Sequence, residues 1–201
     1  MRVYVESNFV VELSLRQEEV DACEEILALA VSRRVELVVP MIALLEPSET
    51  LRRRQAVMSD FATRLGENLR ELERISLAGV AKGANQHLVK GFRDAINDWK
   101  PRLSAVRQSI ARVARVLPLD VDLMDRAETL VFDGLMEKEP DALVLAAVIR
   151  DLTQHPAPAL FVNRNTRDFD DHKSGLKSLG CDLLGTFSHA LSRLRKLSPS
   201  P

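Results

Sequence analysis

The sequence has few cysteines, few aromatic residues and no long apolar run, and each shortage excludes a class of protein. Its two cysteines, Cys23 and Cys181, lie far apart and lack the spacing of a metal site. We therefore expect two buried thiols in a reducing cytoplasm, and no disulfide framework. No apolar stretch approaches the roughly 18 residues that a membrane-spanning helix needs. We read the first residues as the first strand of the fold and not as a signal peptide.

Several motifs of common enzyme classes are also missing. Gly79 and Gly83 lack the Lys-Ser/Thr pair that follows a glycine-rich phosphate loop. The four histidines are scattered, and neither Ser7 nor Ser48 has an obvious histidine partner. A nucleotide-binding loop of this kind and a serine hydrolase are therefore not supported.

The composition is otherwise that of an ordinary globular protein, but its charge is unevenly distributed. Of 201 residues, 46% are apolar and 28% are charged, with a formal net charge of −1. Residues 47–116 hold fourteen Lys or Arg against seven Asp or Glu, whereas the rest of the chain holds fourteen against twenty-two. A basic middle segment inside an acidic frame is the first indication of function.

Short apolar runs alternate with helical periodicity along most of the chain. Strands are predicted at 3–5, 36–40, 116–119, 159–162 and 181–184, and helices at 18–29, 124–136, 141–152 and 187–194. This alternation predicts an α/β fold, a central parallel sheet of about four or five strands covered by helices on both faces. Residues 1–46 and 117–196 would form this domain, and 197–201 a disordered tail.

The basic segment, 47–116, is predicted to be an all-helical insertion in the sheet domain. Its apolar spacing indicates three helices, the second of which ends before Pro101. Phe61, Phe92 and Trp99 fit the apolar stripes and are assigned to the core, so stacking of single-stranded bases on aromatic rings is not supported. We refer to residues 47–116 as the helical insertion.

Acidic and amide side chains follow several strands at the points where the strands end. Glu6 follows the first strand, Glu46 follows the second, Asp141 opens the helix at 141–152, and Asp168 lies in the polar stretch after the fourth strand. Ligands of parallel sheets bind beyond these carboxyl ends. Clustered carboxylates repel one another unless a cation lies between them, and oxygen ligands suit Mg²⁺ or Mn²⁺. Taken singly, each acid also fits an ordinary surface or helix-start residue.

Four segments, in their order along the chain, resemble the PIN domain family: VYVESN, VVPMIALLEPSE, EPDALVLAAVI and LFVNRNTRDF. This family comprises metal-dependent ribonucleases, and many of its small bacterial members are the toxins of toxin–antitoxin pairs. The resemblance covers roughly the first 50 residues and the last 85. It implies a three-layer α/β/α fold and a cluster of acids that binds Mg²⁺ or Mn²⁺.

The resemblance also assigns roles to individual residues. The catalytic acids it implies are Glu6, Glu46, Asp141 and Asp168, with Asn165 as a competing position for the fourth. Glu6, Asp141 and Asp168 would bind the metal, and the residues that would position the substrate are Ser7, Asn8, Asn163 and Asn165. Two positions depart from the family's pattern, because Glu6 replaces the usual Asp and Asn163 the usual Thr or Ser. A weakened or inactive site is therefore kept as an alternative.

The helical insertion has three possible roles. Arg52, Arg53 and Arg54, together with Arg164 outside the insertion, are predicted to contact RNA phosphates. Two alternatives stay open: the basic side chains form solvated helix faces balanced by nearby acids, or they form a docking surface for an antitoxin-like protein or a second copy of the chain. The sequence thus predicts a metal-dependent ribonuclease; the alternative is a degenerate module that binds RNA or a protein through the insertion.

Overall fold

The computed structural model describes residues 1–74 and 82–197. Residues 198–201 of the predicted disordered tail lie outside the described part of the chain, whereas the first residue of that predicted tail, Leu197, is helical.

Five parallel strands form the central sheet, as the sequence predicts. They are β1 (Arg2–Val5), β2 (Glu36–Pro40), β3 (Arg115–Leu117), β4 (Ala159–Val162) and β5 (Cys181–Leu184). Their spatial order is β3-β2-β1-β4-β5, and every neighbouring pair is parallel. Val5 pairs with Val162, so the central strands β1 and β4 end at the same level.

Helices connect the strands. In the described residues they are α1 (Ser7–Leu15), α2 (Val20–Val31), α3 (Met41–Leu45), α4 (Pro47–Arg74), α5 (Lys82–Val113), α6 (Val121–Phe132), α7 (Glu139–Gln154), α8 (Lys173–Ser178) and α9 (Phe187–Leu197). A 3₁₀ helix, Thr166–His172, lies between β4 and α8.

The sheet separates two apolar clusters, one on each face. Side chains of a strand alternate between faces, so Val3 and Val5 enter one cluster and Tyr4 enters the other. The first cluster holds buried residues of α1, α2, α5 and α9, and the second holds those of α6, α7 and α8. The predicted α/β architecture, with helices over both faces of a parallel sheet, is confirmed.

The helical insertion packs against this sheet domain, and its last two residues, predicted to be helical, belong to β3. Leu51 of α4 and Leu103 and Ile110 of α5 are buried in the first cluster, beside residues of α1. The insertion therefore shares the main core of the protein.

The prediction that a helix ends before Pro101 is wrong, because α5 continues through it to Val113. A proline inside a helix removes one hydrogen bond and crowds the preceding turn. Burial offsets this cost: Ile96, Leu103 and Ile110 recur every seven residues and are 3%, 6% and 0% exposed. The two halves of α5 are thus held in line by the surface on which they pack.

Other sequence expectations also need correction. The helix predicted at 124–136 is α6, which begins at Val121 and already ends at Phe132. The third strand begins at Arg115, one residue before its predicted start, and ends before Pro118. Phe61 was expected in the core but is 50% exposed, with its ring 5.7 Å from that of Phe92. No helix was predicted for α1. Residues 9–13 are all buried, so this stretch lacks the alternation of apolar and polar side chains that marks a helix with one buried face.

Charged side chains tie the amino ends of the strands together. Arg2 and Arg115 each donate to Glu36, at 2.9 and 2.7 Å. Arg115 also binds both oxygens of Asp151 at 2.7 and 2.8 Å, and the Tyr4 hydroxyl donates to Asp151 at 2.6 Å. This network fixes β1, β2, β3 and α7 at the end of the sheet opposite the predicted acids.

No helix within residues 1–74 and 82–197 is both long enough and apolar enough to cross a membrane.

Candidate functional site

The four predicted acids come from four separate segments of the chain near the carboxyl edge of the sheet. Glu6 directly follows β1, Glu46 follows α3, Asp141 lies in the first turn of α7, and Asp168 lies in the 3₁₀ helix after β4. In the sheet, β2 lies on one side of β1, and β4, which comes later in the chain, lies on the other side of β1. Such a reversal opens a crevice between neighbouring strands, the usual ligand position in this type of sheet.

Glu6 is a buried carboxylate with only one of its oxygens satisfied. It is the N-cap of α1, and its Oε2 accepts hydrogen bonds from the Ser7 hydroxyl at 2.8 Å and the Asn8 backbone N–H at 3.0 Å. Its Oε1 is buried without a hydrogen-bond partner, and the residue is 5% exposed. Burial raises the pKa of Glu6 to about 7; the bonds from Asn8 and Ser7 oppose this, and the charge of Glu46 adds to it.

Asp141 and Asp168 face each other across a lysine. Lys138 Nζ lies 3.9 Å from Asp141 Oδ2 and 3.6 Å from Asp168 Oδ2. Burial raises the pKa of Asp141 to about 6, with the charges of Asp168 and Glu46 adding to the rise and Lys138 opposing it. The Lys138 side chain is 58% exposed, so this cation lies at the rim of the site.

The charge of Glu46 connects the two halves of the site, since it raises the pKa of both Glu6 and Asp141. The four acids thus form a series of neighbours, in which Glu46 lies near both Glu6 and Asp141 and Asp168 lies near Asp141. Among the described residues, no three Asp, Glu, His or Cys side chains are grouped tightly enough to hold a metal ion as they stand. The chemistry still fits a hard cation, because all donors are oxygens and Glu6 Oε1 lacks a partner.

The position of Glu46 depends on the helical insertion. Arg107 of α5 donates to the Leu45 carbonyl oxygen at 3.0 Å and to the Ser48 hydroxyl oxygen at 2.7 Å. These bonds hold the chain on both sides of Glu46, at the junction between α3 and α4. The insertion therefore helps to place one of the four acids.

The two asparagines after β4 shape the loop that carries Asp168. Asn163 is 2% exposed, and its Oδ1 accepts a hydrogen bond from the Asn165 backbone N–H at 2.7 Å. The Asn165 side-chain amide donates to Asp168 Oδ2. Both residues were predicted to position substrate; the structure places Asn163 inside the loop and Asn165 against the acid at its rim.

The arginines predicted to contact RNA have different surroundings. Arg164 forms an ion pair with Glu12, which is 1% exposed, and a second with Glu18 at 3.2 Å. Arg52 and Arg53 lie on α4 with side chains 73% and 70% exposed, and both pair with the exposed Glu49, at 2.7 and 4.0 Å. Arg54 follows them on the same exposed turn. The cluster of three is open to solvent, whereas Arg164 is engaged within the protein.

Three side chains that organise the site were not predicted from the sequence: Glu12, Arg107 and Lys138. Lys138 stands three residues before Asp141, a spacing that places both on one side of a helix start and was a usable signal. Glu12 and Arg164 are 152 positions apart, and Arg107 and Leu45 are 62 apart. Contacts at such separations leave no local pattern in a single sequence.

A scan of protein-family models and searches of curated proteins and of solved structures find no match to this chain. The family resemblance of its four segments therefore stays a prediction, and the site is interpreted from its own residues.

Proposed function

We propose that this chain is a PIN-like ribonuclease that depends on Mg²⁺ or Mn²⁺. The observation that supports this most strongly is that acids from four separated segments are neighbours in series: Glu46 acts on the pKa of both Glu6 and Asp141, and Asp168 acts on that of Asp141. A protein gains nothing in stability from such repulsion. A bound divalent cation would relieve it, and the same ion would serve phosphodiester hydrolysis.

Glu6, Asp141 and Asp168 are the residues that would hold the ion, with Glu46 completing the negative surroundings. When bound, the ion would lower the pKa of a water molecule and stabilise charge on the scissile phosphate. Ser7 and Asn8 fix Glu6 through Oε2, which leaves Oε1 free to face a ligand. Asn165 holds Asp168 through one carboxylate oxygen.

The chain's own cations would receive the RNA backbone. Lys138 lies beside Asp141 and Asp168, where its ammonium group can approach a phosphate that enters the site. Arg52, Arg53 and Arg54 begin six residues after Glu46 on α4, which corresponds to roughly 9–12 Å along a helix. Phosphates flanking the cleaved bond would fall within reach of this cluster and bind without sequence preference.

A second candidate function, a degenerate module, is favoured by two features of Glu6. Its carboxylate caps α1, and its pKa of about 7 leaves it partly protonated at neutral pH. Both features suit a structural residue as well as a ligand. In that case the protein would act through the helical insertion, by binding RNA or a protein partner such as an antitoxin.

The test is cleavage of a panel of single-stranded and structured RNAs with Mn²⁺, with Mg²⁺ and with EDTA. The wild-type protein should cleave only with metal, and Asp141→Asn should lose activity by about 100-fold or more. Asp170→Asn is the matched control, because Asp170 is exposed and lies in the same 3₁₀ helix as Asp168. Activity that survives EDTA, or equal activity of the two variants, would contradict the proposal.

Glu6→Asp separates the two candidate functions. A gain of cleavage in this variant would show that the natural site is impaired by the longer side chain. Absence of cleavage in both proteins, with RNA or protein binding retained, would support the degenerate module.

A further inference from the structure

The base of the helical insertion carries an open groove with an apolar lining and a basic edge. The groove has a volume of about 650 Å³ and lies between the end of α1, the first turns of α4 and the middle of α5. Four apolar side chains and two arginines contribute to its lining: Leu15, Val57, Met58, Trp99, Arg53 and Arg54. Val57 is 68% exposed although it belongs to this lining. We call this feature the α4–α5 groove.

Helix α6 carries a protruding apolar strip with an acidic border, the complement of the basic-edged groove. Val121, Met124 and Phe132 are 69%, 47% and 89% exposed and recur on one helical face, and Leu135 in the following turn is 52% exposed. Phe132 is the most exposed large apolar side chain among the described residues. We call these four residues the α6 ridge.

Acidic side chains surround the α6 ridge. Residues 120–137 hold six Asp or Glu and one Arg. Of the acids, Asp120 is engaged by Arg150 at 2.7 Å, while Asp122, Asp125, Glu128, Asp133 and Glu137 are exposed. The ridge is therefore an apolar strip with a negative border, and the groove is an apolar trough with a positive edge.

We propose that this chain associates with a second copy of itself by seating the α6 ridge of one copy in the α4–α5 groove of another. The two surfaces match in apolar character and are opposite in charge, which favours this pairing over ridge against ridge. From Val121 to Phe132 the ridge extends about 17 Å along the helix axis, and the groove follows two turns of α4. This inference does not depend on the proposed nuclease activity.

The contact must form between copies. Leu123 and Ala127 of α6 are buried in the apolar cluster on one face of the sheet, whereas Leu51 of α4 and Leu103 of α5 are buried in the cluster on the other. The ridge cannot reach the groove of its own chain across the sheet. The contact can be made reciprocally, which gives a two-fold symmetric pair, or head to tail, which gives a ring or a longer assembly.

RNA bases suit the groove less well than an apolar helix does, which distinguishes its lining from the phosphate contacts proposed for the arginines at its edge. The lining contains one aromatic side chain, Trp99, because Phe61 and Phe92 pack against each other elsewhere on the hairpin. Stacking of successive bases needs several such rings. An apolar lining with arginines at the edge suits an acidic, apolar helix, and α6 has that chemistry.

The test is sedimentation velocity of the full chain across a dilution series, at low and at high salt. Wild-type protein should associate reversibly and more weakly at high salt. The groove variant, Arg53→Glu/Arg54→Glu, and the ridge variant, Met124→Ser/Phe132→Ser, should each associate at least about 100-fold more weakly. Arg70→Glu on α4 and Val31→Ser on α2 are matched surface controls that should behave as wild type, and circular dichroism verifies folding.

Mixing the two variants is the decisive step. The groove variant retains an intact ridge and the ridge variant an intact groove, so a mixture should recover a mixed complex although neither variant associates alone. A monomeric wild type, unchanged association of the groove variant, or no recovery on mixing would each overturn the proposal. If the groove variant loses only binding to an oligoribonucleotide while still self-associating, the groove is a nucleic-acid surface and the proposal is wrong.

Discussion

At the scale of single residues, Glu6 serves two purposes that conflict. As an N-cap it must accept hydrogen bonds from the start of α1, and as a ligand it must offer a charged oxygen to a cation. The structure divides these purposes between its two oxygens, since Oε2 accepts from Ser7 and Asn8 and Oε1 has no partner. The cost of this arrangement is visible in its pKa, which is raised to about 7 from 4.5.

We expect Glu6→Gln to stabilise the metal-free protein at high pH. A carboxyl with a raised pKa in the folded state binds a proton that the unfolded chain releases, so wild-type stability declines as the pH rises from 4.5 to about 7. At 1.36 kcal/mol per pKa unit, the free energy of unfolding of wild type falls by about 3 kcal/mol over this range. Glutamine does not titrate, so the variant does not lose this stability. Urea unfolding in EDTA should show equal stabilities near pH 4 and a more stable variant near pH 8. Glu139→Gln, an exposed acid of α7, is the control; a less stable Glu6→Gln at pH 8 would contradict the account.

Asp151 shows the reverse behaviour at the other end of the sheet. Burial tends to raise its pKa, but hydrogen bonds from Arg115 and Tyr4 outweigh burial and lower the pKa to about 2 from 3.8. An acid with a lowered pKa stabilises the fold above its unfolded pKa, and this contribution is lost as the pH falls through the folded value. Asp151→Asn should therefore cost roughly 2 kcal/mol at pH 7. In urea unfolding, the difference in the free energy of unfolding between wild type and Asp151→Asn should become smaller towards pH 2. A difference that stays constant with pH would show that the charge of Asp151 is not its source.

At the scale of elements, the loop between β4 and the 3₁₀ helix is tied to α1 by Arg164. This arginine pairs with Glu12, which also accepts a hydrogen bond from the Glu19 backbone N–H at 3.1 Å. The bond joins the loop that carries Asn163 and Asp168 to the turn between α1 and α2. Arg164 thus fixes a segment of the candidate site, which its predicted contact with RNA would not require.

We expect Arg164→Met to destabilise the protein by roughly 2–3 kcal/mol, because it leaves the buried Glu12 carboxylate without its cation. The double variant with Glu12→Gln should recover much of this loss, since the buried charge is then removed as well. Thermal unfolding measures both effects, and Arg167→Met, an exposed neighbour, provides the control. Unchanged stability with weakened RNA binding would instead support the predicted phosphate contact.

The elements differ in how far the sequence could predict them. β1, β2, β4 and β5 are short buried apolar runs bounded by polar or turn residues, a pattern that needs no tertiary information. The position of the acids followed from the rule that places ligands beyond parallel strands. The continuity of α5 through Pro101 could not be predicted, because it depends on burial of Ile96, Leu103 and Ile110 against other elements.

At the scale of the whole molecule, the uneven charge of the sequence becomes a separation in space. The basic helices α4 and α5 cover one face of the sheet, and the acidic helix α6 covers the other. The composition showed that basic and acidic segments exist, but only the fold shows that they lie on opposite faces. This separation underlies the proposed association, while the four acids at the carboxyl edge of the sheet underlie the proposed nuclease.

A calorimetric titration of the protein with Mn²⁺ tests directly whether Glu6, Asp141 and Asp168 bind a metal ion. At a pH of about 8, where carboxyls with pKa values of about 7 and 6 are ionised, wild-type protein should bind Mn²⁺ in a saturable manner. Asp141→Asn should bind at least about tenfold more weakly, and Asp170→Asn should bind as wild type does. Absence of binding by wild type, or undiminished binding by Asp141→Asn, would show that the four acids are not a metal site.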